Sequence, residues 1–333
     1  MNEILNEDLC IIVPVYKNED NINILIENLE NLNIDFAGRI TVTFVVDGSP
    51  DNSGLILIEK QETFKFSSRI LFHSKNFGSF SAIRTGLEFA KGNYFAVMSA
   101  DSQEPPELVR DFFNVLENDQ ADLVLGARSS RDDRFINDTL SKIFWMIYKK
   151  LVLPDLPKGG ADVFACNQLV RTSFLSIKEP NSSLISQLLW LGYRRKFLPY
   201  KRQKRRHGKS AWRFSAKIHY MLDSVFSSTD LPIILALWIG FLGVLATIIF
   251  SIFLLAAHFT NSIDVPGYVS LALLISIFGS ASIFMQGVLG SYLWRTFENT
   301  KNRPLRLISR SSEYNLDSKH KRDYLPIQFS DIN

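Results

Sequence analysis

Cysteine is scarce in this 333-residue chain: only Cys10 and Cys166 occur, far apart and without the paired spacing of a metal site. That excludes a disulfide scaffold and a thiolate zinc centre, and both residues are expected to be reduced thiols packed inside a domain. Internal repeats and low-complexity segments are absent. The first residues, MNEILNEDLC, lack the charged and apolar regions of a signal peptide, so no cleaved leader is expected. No clear His–carboxylate pair stands out in the sequence. The formal net charge is only +3. That small value hides an asymmetry, because residues 1–20 are slightly acidic while 194–217 are dense in Lys and Arg.

Two apolar stretches are abundant by contrast. Leu231–Ala257 and Val265–Trp294 each exceed the ~20 residues that cross a bilayer as a helix. Their link, His258–Asp264, holds no Lys or Arg, whereas basic residues crowd Arg194–Lys217 and Arg295–Arg310. The positive-inside rule then predicts a two-helix hairpin with both flanks cytoplasmic, hence a multi-pass protein of the inner (plasma) membrane. Five parts are expected: a catalytic domain at 1–211, an amphipathic segment at 212–230, spans at 231–257 and 265–294, and a basic, polar cytoplasmic tail at 295–333 that is mobile after Arg310. The 212–226 stretch reads equally as an interfacial helix and as a core-facing one. Gly240, Gly243, Gly279, Gly287 and Gly290 permit close helix contacts, so a homo-oligomer is an open expectation.

Upstream, strand-like and helix-like stretches alternate. Strands are predicted at Leu9–Val15, Ile40–Val46, Arg69–His73, Tyr94–Met98 and Leu123–Gly126, and helices at 20–32, 53–64, 79–91 and 105–118. Such alternation implies an α/β fold with a mostly parallel sheet covered on both faces. Further short helices are predicted at Thr139–Leu151, Gln168–Ile177 and Ser183–Leu191. Ligands of such sheets bind beyond the carboxyl ends of the strands, so the residues there are the candidates.

The first strand ends in IIVPVYKNED, where Pro14 and Tyr16 place an aromatic ring at the rim; a plain turn would look the same. The second ends in VVDGSPDNS. Asp47 can accept hydrogen bonds from a base or ribose there, or simply open an Asp-Gly turn before a capped helix. The fourth ends in MSADSQEPPEL. Asp101 and the amide oxygen of Gln103 suit a hard divalent ion such as Mg²⁺ held against a diphosphate, with Glu104 beside them. The other reading is an acidic first turn that favours the helix dipole. Arg128 and Arg131 follow the fifth strand and offer planar forks for phosphate. In YKRQKRRHGKSAW, Arg202 and Arg205 precede Gly208, Lys209 and Ser210, which suits either closure over a phosphate or anchoring to anionic lipid headgroups. His207 reads as a solvated neighbour.

Taken in order, PVYKNEDNI, VVDGSPDNS, SKNFGSFSAIRTGLEFAKGNYFAVMSADSQEPPEL, VLGAR and YKRQKRRHGKS resemble the polyprenyl-phosphate glycosyltransferases of family two, including dolichol-phosphate mannose synthases and bactoprenol glucosyltransferases. The resemblance covers about residues 9–230 and implies a GT-A, Rossmann-like domain. It implies that Pro14, Tyr16, Asp47, Asp101 and Gln103 line the nucleotide-sugar pocket, and that Asp101 and Gln103 bind Mg²⁺ or Mn²⁺. Arg128, Arg131, Arg202, Arg205, Lys209 and Ser210 would meet the acceptor phosphate, with Asp162 an acidic residue near the acceptor. Asp101, Asp162, Arg128 and Arg205 would be the catalytic set. Four positions depart from the pattern. Ser99 takes the first place of the usual Asp-x-Asp, Val46 replaces a second acid or Asn, Asn18 a common Glu, and Ala211 a common Lys.

The implied activity is transfer of a hexose, UDP-glucose being the first candidate donor, to a polyprenyl phosphate with inversion at the anomeric carbon. UDP-N-acetylglucosamine, UDP-galactose and GDP-mannose stay open. A processive polysaccharide synthase of the same fold is disfavoured by the absence of a Gln-x-x-Arg-Trp signature. A catalytically silent scaffold rests on Ser99 and Val46 alone. Nucleic acid is not an expected partner.

Overall fold

Branched aliphatic residues dominate the first strand, β1 (Leu9–Val15), and all its residues but Pro14 are buried. Sealing both faces of such a strand requires helices above and below it. The computed structural model describes residues 8–128, 160–177, 183–203, 267–300, 304 and 306–324, with 238, 242, 243, 245, 249 and 252 singly between them. It divides into two units: Met1–Lys178, Leu184–Phe214 and Arg303–Asn333 form the first, Glu179–Ser183 and Ser215–Asn302 the second.

In the first unit the chain runs β1, α1 (Ile22–Asp35), β2 (Ile40–Val46), α2 (Ser53–Lys60), β3 (Ser67–His73), α3 (Ser79–Phe89), β4 (Tyr94–Val97), α4 (Pro106–Glu117) and β5 (Leu123–Arg128). After residue 160 come β6 (Ala161–Asn167), α5 (Gln168–Ser176), α6 (Leu184–Trp190) and β7 (Arg195–Tyr200). The strands make one nine-stranded sheet in the order β7-β5-β6-β4-β1-β2-β3-β8-β9, where β8 is Ile308–Asn315 and β9 is His320–Tyr324. Leu25, Leu29, Leu57, Phe112 and Phe113 of α1, α2 and α4 pack on one face. Ile83, Leu87, Val170, Phe174 and Leu188 of α3, α5 and α6 pack on the other.

The expected α/β sheet is present, with the five predicted strands and their helices within a few residues of the predicted bounds. Four strands were not predicted. β6 runs antiparallel between β4 and β5, so it begins at the edge where its neighbours end. β7 pairs parallel with β5. The segment expected to be a mobile tail instead folds as β8 and β9, which extend the sheet antiparallel from β3. β8 was hidden because its buried residues include Ser311 and Ser312 rather than an apolar run.

The expected membrane hairpin is overturned: among the described residues no helix is long and apolar enough to cross a membrane. In the second unit α7 (Tyr268–Thr300) spans 33 residues, but Ser270, Ser276, Ser280, Ser282 and Gln286 break up its apolar character, and Arg295 and Glu298 occupy its end. The multi-pass placement with cytoplasmic termini falls with the hairpin. Most of 231–257 and all of 212–230 and 139–151 lie outside the described residues. Within this unit a side chain on Gly243 would strike the Phe278 ring, whereas Gly279, Gly287 and Gly290 have open space beside them.

Candidate active site

The carboxyl ends of β1 and β2 are laced together by short hydrogen bonds. Lys17 N–H donates to Ser49 Oγ at 2.8 Å, Asn18 N–H to Ser53 Oγ at 3.0 Å, and Glu19 N–H to Asp51 Oδ2 at 3.1 Å. Asp51 also accepts from the Ser49 and Ser53 hydroxyls. Burial pushes its carboxyl upward, but these bonds outweigh it and hold the group below the usual carboxylate range. The lacing fixes the loop that carries Pro14 and Tyr16, both half-buried. The Lys17 ammonium stands 5.5 Å from the Tyr16 ring centroid.

Asp47 is buried behind this rim. Its Oδ1 accepts from Phe77 N–H at 2.8 Å and meets His73 Nδ1 at 2.7 Å, while Oδ2 accepts from Gly78 N–H at 2.8 Å. An ionised carboxylate has about four acceptor positions, so three are already taken within the protein. Asp47 therefore moors the β3–α3 loop. His73 continues the chain through Nε2 to Thr85 Oγ1 at 2.9 Å. Neither His73 nor Thr85 was singled out from sequence, since each lies inside a predicted element with nothing local to mark it. Gly48 has φ +58° and a Cβ there would fall 2.3 Å from the Lys75 carbonyl carbon, so the two loops approach as closely as only glycine allows. A cavity of about 200 Å³ opens beside this turn, lined by residues that include Gly48, Ser49, Asp51 and His73.

After β4 the chain turns through Ser102 at φ +53°. Ser99 Oγ donates to Asp101 Oδ1 at 2.7 Å and also contacts Glu104 Oε2. Glu104 is 3% exposed. Burial raises its carboxyl, and Asp162 and Asp101 push it the same way against the Ser99 hydrogen bond and Arg202. The serine thus occupies the centre of an acidic group rather than leaving a gap. Gln103 is turned elsewhere: its Oε1 accepts from Arg202 Nη2 at 2.6 Å and its Nε2 donates to Gln203 O at 3.2 Å. Its amide pins the 201–203 segment.

The third group comes from β5, β6 and β7. Register pairs Ala127 with Ala161 and Arg128 with Tyr200, so Arg128, Asp162 and Tyr200 meet at the rim. Arg128 Nε donates to Asp162 Oδ2 at 2.8 Å and Nη2 donates to the same oxygen; Tyr200 OH donates to Asp162 Oδ1 at 2.6 Å. Arg128 and Asp162 were both anticipated, though not as an ion pair. Tyr200 was missed, because it reads as the start of the basic run. Arg131, Arg205, Lys209 and Ser210 lie outside the described residues.

Asp101, Glu104 and Ser99 offer hard oxygen donors of the kind Mg²⁺ and Mn²⁺ prefer, and the buried Ser102 Oγ beside them has no hydrogen-bond partner. Among the described residues no group of three or more His, Cys, Asp or Glu forms a complete cage. Mg²⁺ is usually held by one or two carboxylates together with substrate phosphates, so the donor set fits an ion shared with a diphosphate.

The sequence pattern of Glycosyl transferase family 2 matches residues 10–176, from the first buried strand through α5. The chain belongs to that family. Relatives of this family 2 glycosyltransferase align along nearly its whole length. An uncharacterised glycosyltransferase of Synechocystis is 28% identical over 91% of this chain and 95% of its own. CsbB of Bacillus subtilis, named as a glycosyltransferase, is 29% identical over 93% of each. A prophage bactoprenol glucosyl transferase homolog of Escherichia coli is 25% identical over 91% of this chain and 98% of its own. Among solved structures, glucosyl-3-phosphoglycerate synthase from Mycobacterium tuberculosis aligns over 65% of this chain and 76% of its own at 16% identity with a TM-score of 0.45, too distant to transfer ligands or mechanism.

Proposed function

We propose that this family 2 glycosyltransferase moves a hexose, with UDP-glucose the first donor to try, from a nucleoside diphosphate to a polyprenyl phosphate with inversion. One observation carries the reading. The acidic group around Asp101 and the Arg128–Asp162–Tyr200 group adjoin at one rim, close enough that Asp162 acts on the charge of Glu104 and Glu104 on Tyr200. Their adjacency supports a reading in which a metal–diphosphate and a second phosphate are held side by side. The bactoprenol glucosyl transferase names among the relatives favour a lipid phosphate as the acceptor.

A phosphate monoester has its second pKa near ~6 and reaches pH 7 mostly as a dianion. The nucleophile arrives charged, and the protein need not remove a proton from it. Its residues bind and orient. Tyr16 and Pro14 flank the nucleoside, Asp47 keeps the β3–α3 loop in place, and Arg128, with Arg202 and Arg205, draws the acceptor phosphate toward the anomeric carbon. Asp101 and Glu104 would hold a divalent ion, which supplies positive charge against the departing diphosphate. The decisive experiment incubates the full chain and micellar polyprenyl phosphate with labelled UDP-glucose, UDP-N-acetylglucosamine, UDP-galactose and GDP-mannose in turn. Lipid-linked sugar from one donor is expected, and none from any donor would refute the proposal. Asp101→Ala should reduce turnover at least ~100-fold, the scale of losing one electrostatic contact to the transition state.

A further inference from the structure

Gln103 stands just past Asp101, and each of its polar atoms already has a partner. Its backbone N–H donates to Asp101 Oδ1 at 3.3 Å, and its backbone carbonyl accepts from Gln203 N–H at 2.8 Å. In the side chain, Nε2 donates to Gln203 O at 3.2 Å and Oε1 accepts from Arg202 Nη2 at 2.6 Å. Arginine carries no acceptor and a carbonyl no donor, so the amide can lie only one way round. The oxygen that could ligate a metal ion is therefore the one that faces the guanidinium. A divalent ion on that oxygen would meet a fixed positive charge at short range, and like charges repel there.

Arg202 is less well provided. Of its five N–H donors, one goes to Gln103. Its Nε is buried and among the described residues has no hydrogen-bond partner. A buried donor without an acceptor is costly, the more so on a charged group. The guanidinium also acts on the charge of Glu104, as Asp101 and Asp162 do, so it stands by the rim where the two groups adjoin. A phosphate supplies oxygens that match its remaining donors.

We propose that Gln103 is a positioning residue for the acceptor phosphate: it aims Arg202 at that phosphate and leaves the divalent ion to Asp101 and Glu104. This rests on the reading of a phosphate acceptor given above. The bond from Gln203 N–H goes to the main-chain oxygen of Gln103, so that tie survives a change of side chain. What such a change removes is the aim of the guanidinium.

The test uses the full-length protein and two probes: Mn²⁺ with UDP, followed by paramagnetic resonance, and farnesyl phosphate, followed by calorimetry. Gln103→Met keeps the length of the side chain and removes both amide bonds. It should weaken farnesyl phosphate about tenfold, the worth of one charge-assisted hydrogen bond, and leave Mn²⁺–UDP within about twofold. In an Arg202→Met background the same change should add nothing, because the group it aims is gone. A loss of Mn²⁺–UDP affinity in a Gln103→Met protein that still melts cooperatively would place the glutamine on the donor side and overturn the proposal. Unchanged farnesyl phosphate affinity, or an independent effect in the Arg202→Met background, would overturn it equally. Gln103→Ala removes the same two bonds without bulk at the rim and carries the comparison if the methionine variant does not fold. Wild-type protein that binds Mn²⁺–UDP but no farnesyl phosphate would instead overturn the acceptor reading on which the role depends.

Discussion

Cys10, Phe95 and Cys166 occupy one row across three adjacent strands, paired β1 to β4 and β4 to β6. The Arg171 guanidinium lies 4.8 Å from the Phe95 ring centroid, near enough to both thiols to interact with each. Burial raises both thiols, that of Cys166 to about 12, with Arg171 opposing weakly. A group whose proton is held more tightly in the folded state stabilises the fold below its unfolded pKa, and that contribution is lost as pH rises through the folded one. The window for Cys166 therefore opens near 9.0 and closes near 12. Cys166→Ala should cost about 1 kcal/mol at pH 7 through lost packing. Its deficit against wild type should then shrink as pH climbs from 9 to 11. Urea midpoints at pH 7 and pH 10.5 measure this, and parallel alkaline losses in both proteins would refute it. That both cysteines are packed thiols was legible from their number and spacing. That they share a row with an arginine was not, because the row is made by strand order.

Helix ends show what local sequence does and does not announce. α3 ends at Phe89, and its last carbonyls need donors. Arg171 of α5 supplies them: Nε donates to Leu87 O at 2.5 Å and Nη2 to Glu88 O and Ala90 O at 3.0 and 3.1 Å. Arg69 reaches Phe89 O and Ala90 N–H closes on Gly86 O, which completes the account. The favour is returned. Arg84 of α3 donates to Phe174 O at 3.3 Å, to Leu175 O at 2.6 Å and to Ile177 O at the end of α5. Two helices distant in sequence thus cap one another. Their spans were readable from apolar periodicity to within a few residues, but the caps were not, since each donor sits some 80 to 90 positions from its acceptors. Arg171→Met keeps the aliphatic bulk and orphans three carbonyls. It should destabilise the domain by about 1.5–3 kcal/mol, the range for hydrogen bonds to a charged group. Arg84→Met should cost a similar amount, while Arg110→Met at the exposed α4 pair with Asp35 should stay within about 1 kcal/mol. Chemical denaturation of the three variants decides it; equal small effects would show that the interhelical caps contribute nothing.

Across the whole molecule, the predicted parts were local and the unpredicted ones depend on distant partners. The α/β alternation up to β5 could be read because each strand carries its own apolar run. Asp101 and Arg128 were candidates because they follow predicted strands and Asp162 through the resemblance, whereas Tyr200 and His73 were unmarked because their hydrogen-bond partners come from elsewhere in the chain. Apolar length suggested a membrane hairpin where hydroxyls, amides and glycines dilute the described helix. The C-terminal hairpin is the sharpest case. β8 returns from far along the chain to pair with β3, and polar side chains anchor it. Ser312 is fully buried, and its hydroxyl donates to Gln61 Oε1 at 2.6 Å, while Gln61 Nε2 reaches Ser68 Oγ and Ser312 O. Gln61 is itself fully buried at the start of the short turn that follows α2. Ser312→Ala leaves its amide oxygen with no protein donor in a site closed to water. An unsatisfied buried acceptor costs about 1–3 kcal/mol, so the variant should lower the thermal midpoint by several degrees, at roughly 2–4 °C per kcal/mol for a domain of this size. Ser309→Ala is the control: that side chain is exposed and, among the described residues, bonds only the Phe72 carbonyl at 3.2 Å, so its change should stay within about 0.5 kcal/mol. If Ser312→Ala melts with wild type, the buried Gln61 bond is not what fastens the hairpin. Stability would then come from the backbone ladder of β3 and β8 alone.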